Sequence, residues 1–304
     1  MDNLTHSLVG ALMGQAGLKQ KTGLAMPALI IGANIPDIDA TCTVYGIESL
    51  AMRRGLTHGP IAWVVLPLIL AALLYGFDRW QASRGRRPES RLQVHFGWLF
   101  ALSLLACLSH PALDWLNNYG IRLLEPFSHR WFYGDAIFII DIWLWLGMGT
   151  AVWLSWRRSK RGEDGRKIAR IALACVLAYI AGNIALSRAY LPATIEGETA
   201  IVSPVPIAFW QRDIAVGSNG IWRMEGATRG EYPLDRCDLD KAARKDPDVA
   251  AFLFWSRAPM IERIEGRLTL LDARYASPMA QGRFSVSLPD DVCGLMRRGF
   301  VAAH

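Results

Sequence analysis

Long apolar stretches separated by short polar ones dominate the first two thirds of the chain. Two shorter segments, residues 4–18 and 24–36, are rich in Gly and Ala, which allow close helix packing. Each of these two is predicted to be a short or tilted span, or a helix packed inside the bundle. Four to six membrane helices are therefore expected. The four segments long enough, or nearly so, to cross about 30 Å of hydrocarbon are residues 60–77, 96–116, 136–156 and 168–190.

The pattern changes in the last third of the chain, where turn residues and short alternating stretches replace the apolar runs. Residues 238–254 predict one helix, with Asp238 as its N-cap and Pro247 as a break or restart. We therefore expect a multi-pass α-helical membrane domain over residues 1–190, followed by a small α+β domain over residues 191–304. Three stretches are typical of short β-strands: residues 199–202, 266–271 and 283–288.

Positive charge is concentrated in the membrane part. Residues 1–190 hold 19 Lys and Arg against 12 Asp and Glu, whereas residues 191–304 hold 14 against 15. Two basic clusters flank apolar segments within the range in which positive charge sets orientation, so both are predicted to be cytoplasmic. This explains the basic balance without nucleic acid, and no nucleic-acid partner is expected. The clusters are Arg79, Arg84, Arg86, Arg87 and Arg91, and Arg157, Arg158, Lys160, Arg161, Arg166, Lys167 and Arg170.

Placing both clusters in the cytoplasm brings most of the His and Asp side chains to the outer membrane face. It also places the C-terminal domain outside the cytoplasm, where Cys237 and Cys293 could form a disulfide. No cleavable signal peptide is expected, because the first residues lack a basic region. The side chains predicted at the outer face are His6, Asp37, Asp39, His58, His110, Asp114, Asp135 and Asp141.

These residue types indicate metal chemistry. Zn²⁺ needs three or four nitrogen, oxygen or sulfur ligands, and a catalytic site leaves a position for water. His and Asp without thiolate fit a hydrolytic Zn²⁺, Mn²⁺ or Fe²⁺ site. His110 and Asp114 are four residues apart, which places them on one helical face, and Asn118 extends it. Pro111 requires the helix to kink or to restart there.

Asp37 and Asp39 follow Pro36 in a segment predicted to be non-helical. In an extended segment, residues two apart point the same way, so both carboxylates could reach one ion or a pair of ions. The alternative is a solvated turn, for which Asp beside Pro is common. His6 and His58 also have alternatives: a solvent-facing position and a capping role before the next span.

Further residues at the outer face have predicted roles around the metal. Asp141 lies in an apolar run, where an unpaired carboxylate is costly, so it should bind a metal, Arg or His. Arg54 and Arg130 could hold an anionic group such as a phosphate, which suits the arginine fork. His129 is predicted to support the site or to contact substrate, because no acidic residue stands at ligand spacing.

Several motifs recur in a fixed order: Thr5-His6-Ser7-Leu8-x-Gly10, Asn34-x-Pro36-Asp37-x-Asp39, Arg54-Gly55-x-Thr57-His58-Gly59, Ser109-His110-x-x-Leu113-Asp114-x-x-Asn117-x-Tyr119-Gly120 and Pro126-Phe127-Ser128-x-Arg130-Trp131-x-Tyr133-x-Asp135. This order resembles the bacterial inner-membrane, LexA-regulated, membrane-bound metal-dependent hydrolases, over residues 1–160. The resemblance implies an inner-membrane hydrolase. It also implies a set of metal ligands, namely His6, Asp37, Asp39, His58, His110 and Asp114.

The expected function is a multi-pass hydrolase with one or two divalent ions, Zn²⁺ first, at the extracytoplasmic face. Asp37, Asp39 or Asp141 would act as the base. The membrane position favours a lipid or lipid-linked ester or phosphoester as substrate. One rival is a metal or ion transporter, since intramembrane His and Asp also mark ion pathways. The other is a catalytically silent scaffold that displays the last domain to a partner. The predicted substrate-binding residues are Arg54, Asn118, His129 and Arg130.

Overall fold

The computed structural model describes residues 1–276 and 282–294, and the chain divides into two compact units. The first unit contains Met1–Thr41, Arg54–Tyr190 and Val202–Arg212, and the second contains Cys42–Arg53, Leu191–Ile201 and Asp213–His304. The described residues form nine α-helices: α1 (Asn3–Gln15), α2 (Ala25–Gly32), α3 (Ser49–Met52), α4 (Pro60–Ser83), α5 (Phe96–Trp115), α6 (Ile142–Lys160), α7 (Arg166–Ala189), α8 (Leu239–Lys245) and α9 (Pro247–Trp255). Their strands are β1 (Thr199–Pro204), β2 (Arg212–Ser218), β3 (Ile221–Met224), β4 (Ala227–Arg229), β5 (Pro259–Ile264), β6 (Arg267–Asp272) and β7 (Ser285–Ser287).

Three helices of the first unit, α4, α5 and α7, are long and apolar enough to cross a membrane. Within the described residues, the predicted count of four to six is therefore too high. Helices α1 and α2 have 13 and 8 residues. At a rise of about 1.5 Å per residue, neither covers about 30 Å of hydrocarbon. Helix α6 begins at Ile142, later than predicted, because Asp141 caps it, and its last turn carries Arg157, Arg158 and Lys160.

The two short helices pack tightly inside the first unit, which agrees with one of the two predicted alternatives. A Cβ atom at Gly10 would lie 2.6 Å from the carbonyl oxygen of Leu29 on α2. One at Gly32 would lie 3.0 Å from the carbonyl oxygen of Ser103 on α5. Side chains cannot fit there, so these glycines allow α1, α2 and α5 to approach one another closely. The end of α2 is thereby held against α5.

Helix α6 runs alongside α1. Near the start of both helices, the Trp145 indole nitrogen donates a hydrogen bond to Thr5 Oγ1 at 3.0 Å. Near the end of α1, Ser155 Oγ lies 3.4 Å from Gln15 Oε1 and donates to the Gly165 carbonyl at 2.9 Å. These polar contacts set the register of α6 against α1 along the helix axes. Apolar packing alone does not determine this register.

A buried arginine joins the segment after α7 to the helices of the first unit. Arg212 donates hydrogen bonds to Ser187 Oγ at 2.8 Å and to Asn183 Oδ1 at 2.9 Å, both on α7. It also donates to the carbonyl oxygens of Phe209 at 2.7 Å and Ala136 at 3.2 Å. A guanidinium group presents five N–H donors in a fixed fork, so one side chain can hold several segments together.

The second unit contains two antiparallel sheets, with strand orders β1-β2-β3-β4 and β5-β6-β7. The predicted strands are confirmed as β1, β6 and β7, with slightly shifted ends. The side chains of Trp255, Phe252 and Met260 are fully buried in this unit. Buried Asp272 accepts hydrogen bonds from Arg274 at 2.8 Å and from Ser256 at 2.6 Å, which satisfies its charge.

The helical segment predicted over residues 238–254 is two helices, α8 and α9, and the second one restarts at Pro247 as predicted. Asp238 caps α8 as predicted, because its side chain accepts from the Lys241 amide. Asp246 caps α9, and Pro247 occupies the first turn, where its missing N–H has no cost. Cys237 and Cys293, whose pairing the sequence left open, form a disulfide.

Replacing the buried arginine should destabilise the first unit. Arg212→Met leaves the oxygens of Asn183, Ser187 and Ala136 buried without their donor. We expect the free energy of unfolding of the detergent-purified protein to fall by about 3 kcal/mol. Arg188→Met, at an exposed position on α7, should change it little. Equal stability of the two variants in a denaturant titration would contradict this account of Arg212.

Candidate metal centre

Four side chains of the first unit converge at the C-terminal end of α5: Asp37, His58, His110 and Asp114. One ligand atom from each lies within 4.8 Å of all the others. The Nε2 atoms of the two histidines are 3.1 Å apart. The carboxylate oxygens lie 3.5 to 4.0 Å from these nitrogens. Ligands about 2.1 Å from a tetrahedral ion are about 3.4 Å from one another, so the spacing fits a divalent ion.

Helix α5 supplies two of these side chains from its last two turns. His110 and Asp114 are both fully buried, and their facing atoms are 3.6 Å apart. The helix continues through Pro111, so the predicted shared face is confirmed. Its predicted extension to Asn118 is not realised, because α5 ends at Trp115. The amide of Asn118 instead lies 3.4 Å from Ser203 Oγ.

Asp37 comes from a 3-10 helical stretch, Ile35–Glu48, that follows α2. Its backbone amide donates to the carbonyl of Asn34 at 3.0 Å. The sequence predicted an extended segment in which Asp37 and Asp39 point the same way. In a 3-10 helix, with three residues per turn, residues two apart point in different directions. Asp37 therefore faces the histidine nitrogens of the cluster, whereas Asp39 lies behind one of the two rings.

His58 ends a short 3-10 turn, Leu56–His58, directly before α4. The indole nitrogen of Trp63 donates to the His58 carbonyl at 2.7 Å, which ties the turn to the first turn of α4. Gly59 is required here, since a Cβ atom would lie 1.9 Å from the Glu125 carbonyl oxygen. The loop that carries His58 is thus pressed against the loop that carries Glu125.

Hydrogen bonds behind the two rings determine which ring nitrogens carry protons. His110 Nδ1 lies 2.7 Å from the Ala33 carbonyl, which can only accept, so Nδ1 is the donor. His58 Nδ1 lies 3.3 Å from Asp39 Oδ2 and 2.9 Å from Thr57 Oγ1, whose hydroxyl donates to the same carboxylate at 2.8 Å. With Nδ1 as the donor in each ring, the neutral form of either ring presents Nε2 as an acceptor. Their lone pairs face each other at the cluster, as in metal-bound histidines.

Arg54 anchors the fourth side chain. Its Nε lies 3.0 Å from Asp114 Oδ2, and its Nη1 donates to Asn117 Oδ1 at 2.8 Å. The guanidinium stacks on the Tyr119 ring, 4.7 Å from the ring centroid. The Arg54 amide donates to Asp39 Oδ2 at 2.7 Å, from a left-handed backbone with a φ of 54°. Such a conformation is uncommon for residues other than glycine. One residue thereby positions both Asp114 and the carboxylate behind His58.

His6 lies beside the four-residue cluster. Its ring stacks on His110, with centroids 3.8 Å apart, and its Nε2 lies 3.3 Å from Asp114 Oδ1. The amino group of Met1 contacts the same carboxylate oxygen. The two oxygens of Asp114 therefore face different partners: Oδ2 faces His58, His110 and Arg54, and Oδ1 faces His6.

The protonation states outside the spans suit a cation. Burial lowers the pKa of His58 to about 4, against the opposing hydrogen bond and charge of Asp39. Its ring is therefore neutral near pH 7, as a metal ligand must be. The Asp37 carboxylate lies beside this ring, 4.0 Å from His58 Nε2 and 3.6 Å from His110 Nε2.

Other predicted site residues lie outside the cluster. The Asp141 carboxylate accepts from the Leu144 amide at 2.9 Å and from the Tyr179 hydroxyl at 2.8 Å. Its burial is thus satisfied by a helix cap and a phenol instead of by metal, Arg or His. His129 is largely exposed and lies 3.0 Å from Glu125, four positions earlier, so the expectation that it has no acidic neighbour at ligand spacing was wrong. Arg130 stands 5.4 Å from the Phe132 ring centroid.

Three residues around the site were missed as functional positions by sequence reasoning. Asn117 and Tyr119 hold the Arg54 guanidinium, and Thr57 bridges Asp39 and His58. All three belong to the ordered motifs of the sequence. Their position beside His, Asp and Arg was the only signal available. Polar residues next to candidate metal ligands are themselves candidates for functional positions, because metal ligands need hydrogen-bonded support.

Residues 1–190 match the family model described as YdjM inner membrane protein. The uncharacterized protein YfhP of Bacillus subtilis (strain 168) is 28% identical over 279 residues, covering 84% of this chain and 80% of YfhP. No solved structure matches the chain. The family match includes every residue of the candidate metal centre, and the chain belongs to the YdjM inner membrane protein family.

Proposed function

We propose that this protein is a membrane-embedded, metal-dependent hydrolase that acts at the extracytoplasmic membrane face. One observation carries the proposal: the acceptor nitrogens of His58 and His110 face each other at 3.1 Å. Two buried lone pairs at this distance repel, and two carboxylates beside them add negative charge. A divalent cation held by Asp37, His58, His110 and Asp114 would remove this repulsion. Zn²⁺ suits the donor set best, and Mn²⁺ or Fe²⁺ are the alternatives.

When bound, such an ion supplies a water of lowered pKa and polarises a phosphoryl or acyl oxygen. The residues of the chain prepare the site for it. Asp39 and the Ala33 carbonyl fix the orientation of the two histidines, and Arg54 holds Asp114. Asp37 is the only member of the cluster with measurable exposure, at 8%. It is therefore the group best placed to take a proton from the solvent side.

A lipid or lipid-linked ester or phosphoester is the substrate class that the surroundings support. His110 and Asp114 lie at the end of the candidate span α5, and His58 lies just before the candidate span α4. The loops around Arg54 and Arg122 are joined by a backbone hydrogen bond of 2.9 Å. On these loops, the apolar side chains of Leu56 and Phe127 are 64% and 75% exposed. Exposed apolar groups at the membrane boundary favour contact with lipid.

A structural metal site in a non-catalytic scaffold is the second candidate. Four protein ligands complete a tetrahedral shell, and structural zinc sites are closed in this way. Three of the four side chains are fully buried. Metal content alone does not distinguish the two functions, because both hold the ion. Turnover does: a hydrolase releases product from vesicles that contain phospholipid or acyl-lipid esters, whereas a scaffold does not.

Removing one ligand should remove the metal. Detergent-purified wild-type protein should contain about one equivalent of divalent metal, measured by elemental mass spectrometry. His110→Ala should lose nearly all of it, because three remaining ligands would leave a buried site incomplete. His95→Ala, at the residue that directly precedes α5, is the matched control at the other end of that helix and should keep the metal. Equal metal content in His110→Ala and wild type would contradict the metal centre.

Asp39 should tune metal affinity without being a ligand. Asp39→Asn weakens the hydrogen bond that holds His58, and we expect metal affinity to fall about 10- to 100-fold. At saturating metal the stoichiometry should be unchanged, whereas Asp37→Asn should lower it. Competition with a chelator measures the affinities, and exposed Asp164→Asn serves as the control. Loss of all metal from Asp39→Asn at saturation would instead make Asp39 a ligand.

The disulfide supports an extracytoplasmic position for the second unit, because such bonds persist in oxidising compartments. With Cys42, Cys107 and Cys175 replaced by Ser, Cys293→Ser leaves one free thiol at Cys237. We expect a membrane-impermeant maleimide to label this thiol in intact cells. The parent with Cys237 and Cys293 should be labelled only after reduction. Labelling of the single thiol only in permeabilised cells would place the second unit in the cytoplasm.

A further inference from the structure

A groove lies at the N-terminal end of α5, on the opposite side of the first unit from the candidate metal centre. His95 and His110 are 15 positions apart, which separates the groove from the metal cluster by about 20 Å along the helix. The volume of the groove is about 490 Å³, within the range of small-molecule sites. Its lining residues are Lys21, His95, Gly97, Trp98 and Ala101.

The two walls of this groove are held together by backbone contacts. The Gly23 amide donates to the Gln93 carbonyl at 3.0 Å, and the His95 amide donates to Thr22 Oγ1 at 2.8 Å. These bonds hold the segment after α1 against the start of α5. As a result, Lys21 Nζ stands 5.2 Å from the centroid of the Trp98 ring. The fold therefore brings Lys21, whose side chain is exposed, and Trp98 to the same groove.

The chemistry of the lining favours an anion with an apolar tail. Lys21 contributes a positive charge, His95 an imidazole and Trp98 an indole, and none of the five lining residues is acidic. Gly97 leaves open space, since a Cβ atom there meets nothing within 4 Å. The groove opens where a candidate span begins at Phe96. Trp at this position is typical of the headgroup level of a bilayer.

We propose that this groove binds the phosphate headgroup of an anionic phospholipid. Lys21 pairs with the phosphate, His95 and the indole N–H of Trp98 supply further donors, and the acyl chains follow the exposed side of α5 along Ala101 and Leu105. Basic pockets between membrane helices recognise lipid headgroups in this way. Because the groove and the metal cluster share no residue, this assignment stands or falls independently of the proposed hydrolase.

Native mass spectrometry of the detergent-purified full chain tests the assignment. The probes are phosphatidylglycerol and phosphatidylcholine with identical acyl chains. Wild type should bind one phosphatidylglycerol in preference to phosphatidylcholine. Lys21→Gln should weaken that first adduct about fivefold, the effect of losing one cation near a lipid surface. Gly97→Leu should weaken it too, because the new side chain fills the open space without contacting protein.

Two matched control variants test whether a weakened lipid adduct is specific to the groove. Lys167→Gln removes a cation from another basic segment, and Gly76→Leu adds the same side chain on α4, where a Cβ atom also meets nothing within 4 Å. Both should keep the preference for phosphatidylglycerol. Three outcomes would overturn the proposal: no preference in wild type, equal weakening in controls and groove variants, or displacement of the lipid by inorganic phosphate alone. An unfolding transition of Gly97→Leu that matches wild type would show that a lost adduct does not reflect misfolding.

Discussion

The facing lone pairs of His58 and His110 impose the constraint around which the rest of the site is organised. Each ring is turned by a bond on its far side, to the Asp39 carboxylate and to the Ala33 carbonyl. As neutral rings with these tautomers, neither histidine can donate a proton from Nε2 to the other. Two carboxylates complete a buried group of acceptors, which is costly to keep without a cation. The cost explains why so much of the surrounding structure serves to hold these atoms in place.

Arg54 supports two carboxylates of the site at once. Its side chain neutralises part of the charge on Asp114, while its amide supports Asp39 behind His58. The left-handed backbone at this position allows both contacts from one residue. A cation so close to a metal ligand lowers the ligand's negative charge and leaves room for an anionic group at the site.

The fold brings the site to a membrane boundary by combining long and short helices. Helix α5 carries its two ligands in its last turns, while α2 ends beside it and feeds the stretch that carries Asp37. The close approach at Gly10 and Gly32 makes this possible, because larger residues would push α1 and α2 away from α5. At the other end, α5 presents a basic, aromatic groove. One helix thus connects two polar regions with different chemistry.

The sequence by itself determined the elements whose signals are local. Apolar length predicted α4, α5 and α7, the spacing of His110 and Asp114 predicted a shared face, and turn and cap residues predicted the strands and the start of α8. Tertiary structure alone decided the parts that depend on packing between distant segments. It separated Asp37 from Asp39 through a 3-10 helix, gave Asp141 a capping role and assigned Arg54 to Asp114. Spacing along one element fixes directions within that element, but convergence of side chains 20 to 80 residues apart depends on how the backbones pack.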